Sequence, residues 1–399
     1  MAISGSFNTA LNESIQSVET VLSDMNHNSS EYQYSDEEGI YAFQDVPAHG
    51  DYMVKGIKND DYLNGVSTID LLKIQRHILR SEVIDSPYKM IAADINKDRR
   101  IDGLDLLELR KLILGLYDEL PQNDSWIFVD KSQVLTLDNV WEYRDSLFVR
   151  NLSQSMLDES FVGVKVGDLN DDVVSNVIDQ STQLGISSPV NLSYEDRWIA
   201  TNELVEIQLN TTEKDLFGYQ FTLDFEGLEL TNVSGRDIAE VNYHDFGEVL
   251  TLSHHSDYPL DETSSILTLT FRASQEGRLS EILDLNSSLT KAEGYLGVDY
   301  ESRDLNLVSD YEEVFSLKQN KPNPFSNDTQ IEFVLPKSGN YALTFYDING
   351  KTIQTIEGPG VAGTNSVYFE KSSVNTSGVI YYKLDFEELT AMKRMMLIE

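Results

Sequence analysis

The chain has 399 residues, too many for one ordinary hydrophobic core, so several domains are expected. Sixty-seven acidic against 30 basic side chains give a formal charge of −37, which disfavours nucleic acid and anionic membrane surfaces as partners and favours cations or basic surfaces. The absence of cysteine removes disulfides and thiol catalysis, and no apolar run approaches the roughly 18 residues needed to span a bilayer.

Residues 1–56 carry short alternating runs between turn signals. Ile15, Val18 and Val21 fall in one run, and Gly39–Val54 alternates apolar residues before turning at Pro47–Gly50. A small β-sandwich follows from this spacing. The Gly39–Val54 pattern of aromatic strand, proline turn and second strand resembles the closing hairpin of carboxypeptidase regulatory-like or prealbumin-like modules.

The segment Asp94-Ile-Asn-Lys-Asp-Arg-Arg-Ile-Asp-Gly-Leu-Asp105 places oxygen side chains at loop positions 1, 3, 5, 9 and 12 and an apolar Ile101 at position 8. A hard cation that takes six to eight oxygens is served by that spacing. The expected calcium ligands are Asp94, Asn96, Asp98, the Arg100 carbonyl, Asp102 and Asp105. Position 6, usually glycine, is Arg99, and position 12 is the shorter aspartate rather than glutamate. Leu104, Leu107, Leu109, Leu112, Ile113 and Leu114 form an apolar helical stripe after the loop.

The helix is duplicated: Ile69–Leu79 aligns with Leu104–Leu114 at an offset of 35 residues. The same offset gives a first loop with Asn59, Asp61, Leu63, the Gly65 carbonyl, Ser67 and Asp70 at positions 1, 3, 5, 7, 9 and 12. Leu63 has lost its ligand oxygen, and Asp60 or Asn64 are the available substitutes. The competing expectation is a capped helix without metal, with Ser67 and Asp70 forming a capping box. Two loop–helix repeats without an entering helix, over about 57–117, resemble a type I dockerin. The resemblance implies calcium as cofactor and a cohesin as partner, with polar residues near each helix start choosing it. Here those positions are Ser67-Thr68 and Asp102-Gly103, which do not repeat.

Residues 118–172 lack a clear period but carry Trp126, Phe128, Trp141, Phe148 and Phe161, expected to pack back onto the first sandwich. Asp168, Asn170, Asp172, Asn176 and Asp179 also sit at positions 1, 3, 5, 9 and 12 of a third loop. That loop has Ser175 at the apolar position and no amphipathic helix after it. Residues 173–188 are polar and read as a linker.

A second all-β domain is expected over 189–309, with strands at Trp198–Leu209, Phe217–Phe225, Val249–His254 and Ile266–Ala273. Tyr219, Phe221, Leu223 and Phe225 alternate onto one buried face. The strand Gly218-Tyr-Gln-Phe-Thr-Leu-Asp-Phe225 and the stretch Leu279–Leu285 resemble a cohesin-like sandwich. Such a domain beside a dockerin-like one implies mutual binding, in cis or between molecules, unless both are structural spacers.

After a linker at 310–318, the last segment opens on Asn320-Lys-Pro-Asn-Pro-Phe325. It then shows strands at Thr329–Leu335 and Gly339–Lys351 with an Asn349-Gly350 turn, and finishes with Gly378–Phe386 and Lys393-Arg-Met-Met-Leu-Ile398. These features over 319–399 resemble the type A C-terminal sorting domain of the type IX secretion system. That implies contact with the secretion machinery, passage through the outer membrane and a secreted or cell-surface location. Such export also implies an N-terminal leader. Met1-Ala-Ile-Ser-Gly-Ser-Phe7 has no leader character, so the chain is expected to be the C-terminal part of a longer protein.

Catalytic signatures are weak. The six histidines are scattered, there is no Gly-x-Ser-x-Gly or phosphate-binding glycine loop, and acid pairs are uninformative in so acidic a chain. Trp126 and Trp141 are better read as packing than as sugar platforms. The expected architecture is mainly β and multidomain: three small antiparallel β-sandwiches with one small α-helical calcium module. Its expected role is a non-catalytic surface-protein region. The alternative is the accessory tail of an extracellular hydrolase whose catalytic domain lies upstream.

Overall fold

The computed structural model describes residues 1–176, 188–260, 265–297, 299–309, 315–335, 338–348, 350–361, 363–371, 378–387 and 389–398. Asp179, Asn349 and most of the two expected linkers lie outside the described residues. The chain divides into two compact units, Met1–Ser309 and Asp310–Glu399.

In the first unit, β1 (Ile3–Thr9), β2 (Glu19–Asp24), β3 (Ser29–Tyr34), β4 (Ile40–Phe43) and β5 (Tyr52–Ile57) precede three helices. These are α1 (Thr68–Leu79), α2 (Pro87–Ala93) and α3 (Gly103–Ile113), followed by β6 (Trp126–Asp130), β7 (Leu147–Val149) and β8 (Phe161–Lys165). The later strands return to the early ones, giving sheets in the order β4-β1-β8-β6 and β3-β2-β5-β7. The β1–β8 pair is parallel, as a strand returning after a long excursion allows. Phe7, Tyr41, Phe43, Trp126, Phe128 and Phe161 fill the space between the sheets, so Trp126 is core rather than a sugar platform.

A second core joins the helices to the other side of β6 and β8 through Leu71, Ile74, Leu109, Leu112, Ile127 and Val164. Helix α2 was not expected; its Ser86-Pro87 start is the signal that was available. The apolar stripe of α3 is narrower than expected, because Leu104 and Leu107 lie on the outer side of the first turn and stay exposed while Leu109, Leu112 and Ile113 are buried.

The remainder of the unit comprises β9 (Val190–Tyr194), β10 (Trp198–Ile199), β11 (Leu204–Leu209), β12 (Leu216–Asp224), β13 (Leu228–Ser234), β14 (Tyr243–Asp245), β15 (Val249–His255) and β16 (Leu267–Ala273). It closes with β17 (Gly277–Arg278), a one-turn α4 (Leu279–Ile282), β18 (Asp284–Asn286), β19 (Glu293–Leu296) and β20 (Glu301–Ser309). One sheet runs β14-β15-β12-β19-β20-β9 with β18 also on β12, and it faces β11-β16-β13. The β9–β20 pair is parallel. Tyr219, Phe221, Leu223, Phe225 and Phe271 lie between the sheets, as the alternation predicts.

The second unit is a small sandwich of β21 (Ser316–Leu317), β22 (Asp328–Leu335), β23 (Gly339–Tyr346), β24 (Thr352–Gly360), β25 (Gly363–Glu370), β26 (Gly378–Phe386) and β27 (Leu389–Leu397). Its sheets run β21-β22-β25 and β24-β23-β26-β27 around Phe325, Phe333, Phe345, Phe369 and Tyr382.

Candidate functional site

The loop ending at α3 is wound around two buried carboxylates. Asp94 Oδ1 accepts the Asp98 amide at 2.9 Å, and its Oδ2 accepts the Arg99 amide at 2.9 Å. Asn96 Oδ1 accepts from Asp98 N at 3.0 Å and Asp98 Oδ1 from Arg100 N at 2.9 Å. Asp105 reaches back to Asn96 N at 3.2 Å and Asp102 N at 2.9 Å, while Asp102 caps α3 through Leu104 N at 2.8 Å. Arg99, at the position that glycine usually fills, has φ +69°, so it takes the left-handed backbone the loop requires despite its side chain.

Burial raises the pKa of Asp94 and pushes Asp105 up to about 6. Among the described residues none of Asp94, Asp98, Asp102 and Asp105 forms an ion pair with Lys or Arg, although Lys97, Arg99 and Arg100 lie in the same loop. No three His, Cys, Asp or Glu side chains cluster as a ready metal site among the described residues. The loop's donor set is mixed, drawing also on the Asn96 amide oxygen and the Arg100 carbonyl. Hard oxygens from carboxylates, an amide and a carbonyl fit calcium.

The first loop is built differently. Asn59 Oδ1 accepts from Ser125 N at 2.7 Å and from the Tyr62 hydroxyl. Lys165 Nζ, 4% exposed with its residue, donates to the Asp61 carbonyl at 2.9 Å, the Tyr62 carbonyl at 3.2 Å and Ser125 Oγ at 2.6 Å. Burial lowers its pKa to about 7. Gly65 has φ +70° and its α-carbon abuts the Val173 backbone, a position where any side chain would collide. Asp70 is fully buried and caps α1 through Ser67 N at 2.8 Å, forming the expected capping box. Its other oxygen accepts Leu169 N at 2.7 Å. Asn59 and Asp61 thus lie on one side of the loop, held by Ser125 and Lys165, and Asp70 faces the Asp168 segment. Lys165 was missed at the sequence level because a lysine inside a β-strand reads as exposed.

The start of α1 is seated on the outer face of β12, β15 and β19. Gln220 Oε1 accepts both the Thr68 amide at 2.8 Å and the Thr68 hydroxyl at 2.7 Å, and Thr68 Oγ1 lies 2.6 Å from Ser253 Oγ. Ile69 and Leu72, 4% and 1% exposed, pack with Tyr295 at 1% and with Tyr300. At the other edge the free carbonyls ending α3 are satisfied across the contact: Thr290 donates to Ile113 O at 2.6 Å and Thr251 to Leu114 O at 2.8 Å. Arg76 extends over the Tyr300 ring at 4.9 Å and reaches Asp257 at 3.4 Å. Ser67-Thr68 is therefore used in a contact, whereas Asp102-Gly103 is not its counterpart.

Residues 61–114 match the model of the dockerin type I domain. A dockerin is a docking module without catalytic chemistry of its own. A search of curated proteins found no match to the chain. Solved structures similar to it include the sixth cohesin of Acetivibrio cellulolyticus scaffoldin B in complex with a Cel5 dockerin, at 12% identity over 30% of this chain and 95% of that one, TM-score 0.25. A type I cohesin of Pseudobacteroides cellulosolvens ScaB is 14% identical over 30% of this chain and 86% of that one, TM-score 0.23. The Bacillus cereus pilin BcpA is 10% identical over 100% of this chain and 95% of that one, TM-score 0.21.

Two adjacent histidines of β15 face opposite ways: His255 meets helix α1, and His254 packs on the Tyr219 ring inside the sandwich. His255 Nε2 is 2.8 Å from Gln75 Oε1, and neither ring nitrogen of His254 has a partner. Burial, then the Arg110 guanidinium, lowers the pKa of His254 to about 4 and of His255 to about 3. With folded values below the ordinary 6.5, the unfolded chain binds more protons between 6.5 and about 4. The stability tied to neutral histidines is complete above pH 6.5 and is lost as pH falls through that window. The raised values of Asp105 and Asp168 oppose this loss, so the test is a comparison. The melting temperature of the natural chain is expected to fall more steeply from pH 6.5 to 4 than that of a His254→Gln/His255→Gln variant, and equal slopes would refute the assignment.

Proposed function

We propose that this chain is a calcium-stabilised, self-docked region of an exported protein, with its dockerin module seated in cis on the 189–309 sandwich. The observation that carries this reading is the Thr68 contact, in which the residue at the partner-choosing position of the dockerin meets Gln220 and Ser253. The 189–309 sandwich plays the cohesin's part, and the first sandwich supports the helices from the opposite side.

Calcium belongs at Asp94–Asp105, where carboxylates without an ion-pair partner are gathered by a preformed loop. The unit at 319–399 serves as a type IX secretion address, placing the protein outside the cell or on its surface. Supporting this are the Asn-Pro-Phe opening, whose Phe325 is 1% exposed and hydrogen-bonded to Met396 O at 3.0 Å, and the closing strand β27. Docking is tested by expressing residues 1–176 and 188–309 separately and mixing them in a calorimeter. Association with a Kd of about 1 µM or tighter is expected in calcium. No heat of binding would leave the sandwich as a spacer only.

A further inference from the structure

Strand β8 leaves its sheet into Asp168-Leu-Asn-Asp-Asp172, and this segment comes to rest against the start of α1. It shares two features with the first half of the Asp94 loop. Asp168 Oδ1 accepts the amides of Asn170 at 3.1 Å and Asp171 at 2.7 Å, and its Oδ2 accepts Val173 N at 3.2 Å. Asp94 likewise holds the amide five residues on. The fourth position is left-handed in both, φ +61° at Lys97 and +62° at Asp171.

The second half of a calcium loop is supplied by a distant stretch. Asp105 completes its own loop by joining the amide of Asn96 and capping Asp102. Asp70 makes a similar pair of contacts, one loop position earlier, to Leu169 N at 2.7 Å and Ser67 N at 2.8 Å. The two halves lie about 100 residues apart in the chain, as the Asp70–Leu169 separation of 99 shows.

Two buried side-chain oxygens here have no hydrogen-bond partner. Asn170 gives its amide hydrogens to Asp172 Oδ2 at 2.8 Å, which leaves Asn170 Oδ1 buried without a partner. Ser175, 5% exposed, has an unpartnered Oγ, and both residues line one cleft with Asp172 and Ser67. Asp70 and Asp168 are 0% and 4% exposed, so two carboxylates are withdrawn from water here. Three lysines lie nearby: Lys89 pairs with Asp171 and also acts on Asp168, Lys291 pairs with Glu293 near Asp172, and Lys165 holds the Asp61 and Tyr62 carbonyls. Buried carboxylates and an orphaned amide oxygen supply hard-oxygen donors that an ion would have to draw together, since no three acids here already stand as a metal cluster among the described residues.

We propose that Asp168, Asn170 and Asp172 together with Asp70 form a split site for a calcium ion, clamping the end of β8 to the start of α1. The site replaces the contiguous Asn59–Asp70 loop, and it stands independently of the Asp94 loop. Since Thr68 lies two residues before Asp70, the ion braces the helix turn that meets Gln220.

The test is calorimetric titration of the chelator-stripped full chain with calcium chloride. The natural chain is expected to take up about two ions. Asp168→Asn/Asp172→Asn should leave about one, Asp94→Ala/Asp105→Ala about one, and Asn59→Ala/Asp61→Ala about two. Uptake of one ion that is lost only with Asp94→Ala/Asp105→Ala would overturn the split site and leave the Asp94 loop standing. Loss of an ion with Asn59→Ala/Asp61→Ala but not with Asp168→Asn/Asp172→Asn would overturn it in favour of the contiguous loop. An unchanged calcium-free melt in each variant separates lost binding from lost folding.

Discussion

Chelating calcium is expected to lower the melting temperature of the 1–309 unit by several degrees, and Asp94→Ala with Asp105→Ala to remove the Asp94 loop's share of that shift. Ligand that binds only the folded chain stabilises it by roughly 4 kcal/mol when present at about a thousandfold over Kd. Lys97, Arg99 and Arg100 lie in the loop but pair with none of its carboxylates among the described residues. Asp94 and Asp105, 6% and 0% exposed, are hydrogen-bonded to amides but face no cationic side chain among the described residues. Without an ion their burial is an unfavourable term, visible as the rise of Asp105 to about 6. Scanning calorimetry with and without chelator gives the shift, and an identical melt in both would sink the calcium reading.

The Asp94 loop was legible in the sequence because its chemistry is local. Ligand oxygens at fixed offsets, followed by an apolar helix, need nothing from elsewhere in the chain. Its duplication at Asp70 was also legible, as was the inner face of β12, where Tyr219, Phe221 and Leu223 alternate. What the sequence could not show was who completes each unit. Asp70 looked like the end of its own loop, yet its second oxygen is bound by Leu169, 99 residues away.

The outer face of β12 and β15 is the clearest case. Gln220, Thr222, Thr251 and Ser253 alternate with apolar residues and read as a solvent face, but they are 2%, 0%, 0% and 0% exposed. Polar side chains cover this face because their partners are polar groups too: the Thr68 amide, its hydroxyl and the carbonyls ending α3. One signal was available. In a chain with 67 acidic residues, these positions carry no charge at all, which suits a face that must give up water.

Opening that contact is expected to have a large effect. Leu72 is 1% exposed against Tyr295, and trimming a buried leucine to alanine costs about 2–5 kcal/mol. Leu72→Asp adds the larger penalty of an unpaired charge facing apolar rings, so the helix is expected to leave the sheet while each sandwich keeps its own core. Removing Gln220 strands the Thr68 amide, a loss of about 1–3 kcal/mol.

The absence of cysteine makes the contact directly readable. Thr68 and Ser253 hold their hydroxyl oxygens 2.6 Å apart, so Thr68→Cys with Ser253→Cys sets two thiols within bonding reach. Under mild oxidation in calcium the doubly substituted chain should close a disulfide within one molecule, seen as a faster-migrating monomer on non-reducing gels, and Leu72→Asp should abolish it. A chain that stays reduced, or that forms only cross-linked dimers, would contradict docking in cis.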